Sequence, residues 1–161
     1  MQSFKIIKPI HILTPYVRYY WILEDGADVS VSERTLPTGC IQLVFHRGKR
    51  LLLVGKKESQ PQAFICGQCL NFSDVMSAGK IEMITVVFQP YAARAIFQLP
   101  LKFFYGELIA VDAIADLELS ILSRKVIEAD DHETCIRLIE LFLIHRIYRF
   151  EGYEYNVKRI S

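Results

Sequence analysis

The hydrophobic pattern of the chain changes its period at Gln89-Pro90, and this change constrains the fold more than any other feature. Before it, short β-branched and aromatic runs alternate with turn signals such as Asp25-Gly26 and Arg47-Gly48-Lys49. After it, apolar residues recur at helical spacing, beginning with YAARAIFQL. Strands first and helices last predict an α+β chain: an antiparallel β-barrel or sandwich, cupin-like, followed by C-terminal helices.

The predicted strands are short, and one of them should be central. IEMITVVF is apolar almost throughout, so we expect the strand at 81–89 to be buried on both faces. The other predicted strands are 4–8, 17–23, 29–35, 40–46, 51–54 and 63–66. A short helix should follow Pro90, and longer ones should span 115–129 and 131–150, with Asp130 and Glu133 forming a capping box for the last helix.

Length and composition predict one domain. The chain has 161 residues, and we assign 1–150 to a single domain with strands at about 4–89 and helices at about 90–150. A net charge of +1 and the absence of basic runs argue against a nucleic-acid surface. No window has the roughly 18 uninterrupted apolar residues that a membrane span needs, and Ser3 and Lys5 interrupt any signal-peptide core. A cytoplasmic protein is expected.

The last predicted helix has two apolar stripes. One stripe consists of Ile136, Ile139, Leu143, Ile147 and Phe150. The second lies on nearly the opposite side and consists of Leu138, Leu141, Phe142 and Tyr148. One stripe can face the core of the chain. The second is either covered by a neighbouring helix of the same chain or forms the seam of a homodimer, and we take these four residues as the candidate dimer interface.

Four strings, in this order and spacing, resemble the N-terminal domain of a branch of the AraC-type bacterial transcription regulators. They are LTPYVRYYWILE, ERTLPTGCIQLVFHRG, FICGQ and VVFQPYAARAIFQLPL, and the resemblance runs from about Leu13 to Arg146. It implies a domain that senses an effector and dimerises, followed by helix-turn-helix modules that bind DNA. Residues 151–161 would then be a linker toward a DNA-binding part that lies outside this chain.

A ligand pocket is predicted around ERTLPTGCIQLVFHRG. Alternation along the strand places Cys40, Gln42 and His46 on one face, opposite Ile41, Leu43 and Phe45, so the first set can line a cavity. Arg34 near the mouth of this cavity can hold an anionic group. The remaining candidate pocket residues are Tyr20 and Gln68. The alternative is a structural ion pair beside a solvated strand face.

No catalytic motif, cofactor motif or metal-ligand spacing can be read from the sequence, and we expect no enzyme activity. Cys66 and Cys69 are three residues apart, but a second ligand pair is missing and no helix start follows, so we expect buried thiols rather than a zinc or redox site. Two alternatives stay open. One is a cupin-like metal-binding or enzymatic barrel that uses Glu33, Cys40 and His46, and the other is a purely structural dimerisation module.

Overall fold

A computed structural model of the chain describes residues 2–25, 40–53, 58–67, 75–77, 79–99 and 108–160. Its strands are β1 Gln2–Ile7, β2 Val17–Asp25, β3 Gln42–His46, β4 Leu51–Leu53, β5 Glu58–Ser59, β6 Ala63–Cys66, β7 Val75–Ser77, β8 Ile81–Phe88 and β9 Leu108–Ala110. Its helices are α1 Ala92–Phe97, α2 Leu117–Glu128 and α3 His132–Ile160, with single 3-10 turns at His11–Leu13 and Val111–Ala113.

The strands form two antiparallel sheets. Six strands pair in the order β1-β2-β8-β3-β6-β9, and three short strands pair in the order β5-β4-β7. The predicted α+β class is confirmed. The larger sheet is open in the part of the chain that the structure describes, because β1 and β9 lie at its two ends and do not pair with each other.

Strand β8 is central, as its sequence predicts. It pairs with β2 on one side and with β3 on the other, and all of its residues except Glu82 are buried. A strand in this position contacts other layers through both faces, which explains why its residues are apolar almost without alternation.

The order of strands and helices is less strict than predicted. Strand β9 lies in the half that the periodicity assigned to helices, and it returns to pair with β6 at the edge of the larger sheet. It has only three residues, too few for a period of two to be recognised. The strand predicted at 29–35 lies outside the described residues.

The two faces of the larger sheet contact different surroundings. One face, which we call the helix-covered face, carries Leu43, Phe45 and Ile84 and packs against buried residues of all three helices, such as Ile139. The opposite face holds a separate cluster of buried residues: Trp21, Leu23, Cys40, Val44, Phe64, Cys66, Ile81, Met83 and Val87. Alternation along each strand assigns its residues to the two faces.

The two long helices begin at aspartate caps. The Asp116 carboxylate accepts a hydrogen bond of 3.1 Å from the Leu119 amide at the start of α2, and Asp131 accepts one of 2.7 Å from Thr134 at the start of α3. The predicted cap Asp130 is therefore one residue too early. Helix α3 continues to Ile160, so residues 151–160, predicted as a linker, extend the same helix.

Candidate functional site

The face opposite the helices carries buried polar side chains. On β3, Gln42 and His46 lie on this face, while Leu43 and Phe45 lie on the helix-covered face, as the alternation predicts. The side chain of Thr85 on β8 is also fully buried. In the sheet register Thr85 is directly opposite Trp21 on one side and Val44 on the other.

These residues form one group, which we call the polar cluster: Trp21, Gln42, His46, Gln60 and Thr85. Gln42 and His46 are diagonal neighbours of Thr85 across the β3–β8 pair, and such neighbours are about 7 to 8 Å apart. Gln60 precedes β6 and reaches the cluster through a side-chain contact with His46. Thr85 is therefore the centre of the cluster.

Each member of the polar cluster has a buried polar atom without a hydrogen-bond partner within the described part of the chain. These atoms are Trp21 Nε1, Gln42 Oε1, His46 Nδ1, Gln60 Nε2 and Thr85 Oγ1. A native fold leaves few buried polar atoms unsatisfied, because each one costs about 1 to 3 kcal/mol. Five such atoms on one face of the sheet make the polar cluster the candidate functional site of the described residues.

The hydrogen bond between His46 and Gln60 defines the chemistry of both side chains. His46 Nε2 lies 2.9 Å from Gln60 Oε1, which can only accept, so Nε2 carries the proton and Nδ1 offers a lone pair. Burial lowers the pKa of His46 to about 4, although the bond to Gln60 acts in the opposite direction. The imidazole is therefore neutral at physiological pH.

The polar cluster offers both donors and acceptors and no net charge. Trp21 Nε1 and Gln60 Nε2 donate, Gln42 Oε1 and His46 Nδ1 accept, and the Thr85 hydroxyl does either. Among the described residues, no charged side chain hydrogen-bonds to any of the five. The arrangement suits an uncharged molecule with several hydrogen-bonding groups.

The other predicted pocket residues fall elsewhere. Tyr20 lies on the helix-covered face, where its hydroxyl donates a hydrogen bond of 3.1 Å to Glu140, so it does not join the polar cluster. Glu140 lines a groove of about 400 Å³ between α3 and the β1–β2 pair. Cys40 is on the same face as Gln42, and its sulfur accepts a hydrogen bond of 3.0 Å from Arg18. Arg34 and Gln68 lie outside the described residues.

The predicted alternative metal set is not assembled in the described residues. Cys40 and His46 are six residues apart along a nearly extended chain, which corresponds to about 20 Å. Glu33, the third member of that set, lies outside the described residues. The thiol chemistry also points away from a reactive cysteine, because burial raises the pKa of Cys66 to about 12. Cys69 lies outside the described residues.

A second polar network joins the larger sheet to the α2–α3 turn. Glu24 and Glu82 are a direct cross-strand pair, and His132 Nε2 lies 2.8 Å from a carboxylate oxygen of each. The three ligand atoms lie within 4.8 Å of one another, a spacing that suits a metal ion. However, Arg47 already binds the same oxygen of Glu82 at 2.6 Å and also donates to the Ala129 carbonyl. The Arg47 guanidinium therefore offsets part of the negative charge that the opposed Glu24 and Glu82 carboxylates bring together.

The candidate dimer residues on α3 divide into two pairs. Leu138 and Phe142 are partly buried against the core of their own chain, and the Arg146 guanidinium lies 4.7 Å from the Phe142 ring centre. Leu141 and Tyr148 are 60% and 80% exposed. Of the four candidate dimer residues, only Leu141 and Tyr148 therefore lie on the outward surface of α3.

Three members of the polar cluster were not predicted as site residues. Thr85 lies within β8, a strand whose only other polar residue is Glu82. Its hydroxyl is the one sequence signal that could have marked Thr85 as a site residue. Trp21 is buried among apolar residues, and only its indole nitrogen is unsatisfied within the described residues. Gln60 lies between two strands, and its approach to His46 depends on the tertiary fold.

Residues 5–110 match a family described as a domain of unknown function (DUF6597), and the chain belongs to this family. The matched region contains the whole polar cluster and ends at the last residue of β9, before α2 and α3. No curated protein and no solved structure matches the chain.

Among the described residues, no helix combines the length and the apolar character that crossing a membrane requires.

Proposed function

We propose that this chain is the effector-sensing and dimerising domain of an AraC-type transcription regulator whose DNA-binding part lies beyond the chain. The observation that carries the sensing role is the polar cluster, with five buried polar atoms that lack partners in the described part of the chain. The resemblance of residues 13–146 to such regulators supports the regulatory role. The proposal includes no catalytic step.

The effector is a small uncharged molecule that both donates and accepts hydrogen bonds. His46 is neutral because burial holds its pKa near 4, and the other four members of the polar cluster carry no charge at neutral pH. An ion bound there would lose its hydration without a compensating charge, at a cost of several kcal/mol. A site of this kind therefore favours a neutral molecule over an ionised molecule of the same shape.

The two sheets form a cupin-like sandwich in this proposal. The face that carries Trp21, Val44 and Met83 is buried although the helices pack on the other face, so a further layer must cover it. The sheet β5-β4-β7 is a candidate for that layer. The effector would bind between the two sheets, where an enclosed space strengthens its hydrogen bonds.

A signal can pass from the polar cluster to α3 through neighbouring residues of two strands. On β3, His46 of the polar cluster is followed directly by Arg47. On β8, Glu82 is two positions before Ile84 and directly before Met83, and Met83 lies on the same face as the polar cluster. Arg47 and Glu82 contact the α2–α3 turn through Ala129 and His132. An effector that prefers one arrangement of these strands shifts the position of α3 by no more than its differential affinity allows.

A thermal-shift screen with neutral metabolites tests the sensing role. Each neutral compound is compared with an ionised analogue, such as nicotinamide with nicotinate or glucose with gluconate. We expect a neutral compound to raise the melting temperature, because binding to the folded state stabilises it. Thr85→Val combined with Gln42→Leu should abolish the shift. Ser123→Ala is the matched control, since Ser123 is a buried polar residue on α2 whose hydroxyl bonds to Leu119.

The outcomes separate the proposal from its alternatives. A shift produced only by ionised compounds, or one that the double variant keeps, would contradict an effector site at the polar cluster. No shift from any compound would favour a structural dimerisation module. For the regulatory role, the genomic reading frame downstream of Ser161 should continue into helix-turn-helix modules, and a stop codon there would remove that role.

A further inference from the structure

Three side chains of the types that bind metals converge from three separate elements beside the α2–α3 turn. Glu24 lies near the end of β2, Glu82 near the start of β8, and His132 is the first residue of α3. His132 Nε2 lies 2.8 Å from a carboxylate oxygen of each glutamate, and the three ligand atoms lie within 4.8 Å of one another. We call these three residues the Glu–His cluster.

The two carboxylates of the Glu–His cluster are only partly neutralised by their neighbours. Glu24 and Glu82 are directly opposite each other in the β2–β8 register, and like charges in that position destabilise a sheet. The Arg47 guanidinium offsets one of the two charges through its ion pair with Glu82. Among the described residues, Glu24 has no ion-pair partner other than His132. A further positive charge would therefore stabilise this corner of the sheet.

A single proton on His132 cannot serve both carboxylates well. Nε2 carries at most one hydrogen, yet two acceptor oxygens lie at the same distance of 2.8 Å from it. A strong hydrogen bond needs its N–H group directed at the acceptor, so one hydrogen satisfies one of these oxygens at a time. A metal ion attracts the lone pairs of all three ligand atoms at once. Ligand atoms about 2.1 Å from a tetrahedral zinc ion are about 3.4 Å apart, so small shifts of these side chains suffice.

We propose that the Glu–His cluster binds one Zn²⁺ ion reversibly. An imidazole nitrogen with carboxylate oxygens is a ligand set that zinc accepts, whereas Ca²⁺ takes roughly six to eight oxygen ligands and Mg²⁺ also prefers oxygen. Three protein ligands leave a coordination position for water, as in zinc sites that are not closed. Arg47 does not block the ion, because a carboxylate oxygen has two lone pairs and Glu82 Oε1 can accept from Arg47 while binding zinc. The guanidinium then holds the Glu82 carboxylate in place as an outer hydrogen-bond partner.

The bound ion joins the larger sheet to the first residue of α3. Glu24 and Glu82 belong to neighbouring strands, and His132 belongs to the helix, so zinc adds a link between the two layers. This inference goes beyond the proposed function and does not depend on it. The Glu–His cluster shares no residue with the polar cluster, and it binds zinc whether or not the chain senses an effector.

Calorimetric titration of the full chain with zinc chloride tests the site, after treatment with a chelator and removal of the chelator. We expect one ion per chain and a higher melting temperature with zinc, because binding to the folded state stabilises it. Glu24→Gln and His132→Gln should each weaken binding at least about tenfold. Two matched controls should bind zinc as the unsubstituted chain does. His145→Gln removes an exposed histidine of α3, and Glu133→Gln removes an 85% exposed carboxylate next to His132.

Replacement of zinc by Co²⁺ tests which ligand types hold the ion. Cobalt bound by four or five ligands absorbs visible light, and we expect this absorption in the unsubstituted chain and its loss in His132→Gln. A cobalt ion held by a thiolate also shows a sulfur-to-metal charge-transfer band in the near ultraviolet. Such a band would place the ion on a cysteine and overturn the inference.

Other results would also contradict the zinc site. A chain that binds no zinc, or that binds Mg²⁺ or Ca²⁺ equally well, overturns it, and so does zinc binding that Glu24→Gln and His132→Gln both keep. Glu24→Gln removes one of two opposed charges, so its metal-free form should be at least as stable as the unsubstituted chain. Circular dichroism confirms that each variant is folded. The thermal-shift screen with neutral compounds tests the polar cluster separately, so failure of one proposal leaves the other standing.

Discussion

Thr85 places a hydroxyl group at the centre of a buried surface where the described residues offer it no partner. Leaving such a group unsatisfied costs about 1 to 3 kcal/mol. We therefore expect Thr85→Val, which keeps the branched shape and removes the hydroxyl, to raise the free energy of unfolding of the unliganded chain by about 1 kcal/mol. Urea denaturation measures the change. Val44→Thr, which adds a hydroxyl on the opposite strand, is the matched control and should destabilise the chain.

A loss of stability in Thr85→Val would mean that the hydroxyl has a partner in the unliganded protein, such as a bound water. The expected gain would instead identify Thr85 as a residue retained at the expense of stability. Such a residue needs a reason in function, since a valine would serve the core better.

His46 makes the stability of the chain depend on pH. Its pKa is lowered from 6.5 to about 4 because the neutral ring is buried. Above pH 6.5 the ring is neutral in both states; as the pH falls toward 4, the unfolded chain takes up a proton that the folded chain resists. Stability is therefore lost between pH 6.5 and 4, by about 2 to 3 kcal/mol at roughly 1.4 kcal/mol per unit.

His46→Gln should remove this part of the pH dependence. Urea denaturation at pH 7 and at pH 4.5 gives the change in the free energy of unfolding of each protein between the two pH values. The difference between the two changes isolates His46 from the other titrating groups. His145→Gln, at an exposed position on α3, is the control. Parallel pH profiles for wild type and His46→Gln would show that the imidazole is accessible to protons in the folded state.

The predicted pocket shows what a sequence can reveal about single residues. The alternation predicted along β3, with Gln42 and His46 on the face opposite Leu43 and Phe45, agrees with the two core clusters, because it depends only on local geometry. Tyr20 was grouped with them, yet it lies on the other face of the sheet. Nothing in one strand shows which of its faces matches a given face of another strand, because this depends on the register between β2, β8 and β3.

At the scale of elements, α3 combines a buried stripe and an exposed one. Ile139 and Leu143 are fully buried against the sheet and the other helices, while Leu141 between them points outward. We expect Ile139→Ala to lower the free energy of unfolding by about 2 to 5 kcal/mol, because it leaves a cavity in the core. Leu141→Ala is the matched control two residues away and should change the stability of the monomer by no more than about 0.5 kcal/mol.

Urea denaturation at low protein concentration measures both variants while keeping any dimer dissociated. A loss of more than about 2 kcal/mol in Leu141→Ala would contradict the assignment of the outward face. The measurement would then indicate that Leu141 is part of the folded core of its own chain.

The elements that the sequence predicts best are those with a long and uniform pattern. Strand β8 and the start of α3 agree with prediction to within one residue, because eight apolar residues or several helical turns average out local irregularity. Strands β5, β7 and β9 have two or three residues each and were missed. Such strands form because a neighbouring strand offers hydrogen bonds, and that neighbour is distant in sequence.

At the scale of the whole molecule, the larger sheet separates two roles. Its helix-covered face packs a continuous apolar core, in which the residues from β2, β3, β6 and β8 meet three helices. Its opposite face combines apolar residues with the polar cluster. In the proposed function, the sheet lies between an effector site on one face and the helices on the other, so it is the element through which binding would be transmitted to a helix.

This division predicts an uneven distribution of local stability. The amides of β8 should exchange with solvent most slowly, because β8 is flanked by two strands and buried on both faces. The amides of β4 and β7 should exchange faster, because their sheet has strands of only two or three residues and can open locally without unfolding the core. Hydrogen–deuterium exchange followed by mass spectrometry measures both. The proposed function puts the small sheet over the polar cluster, so a neutral compound that binds there should also slow the exchange of β4 and β7. Protection of β4 and β7 as strong as that of β8 would contradict an uneven distribution of local stability.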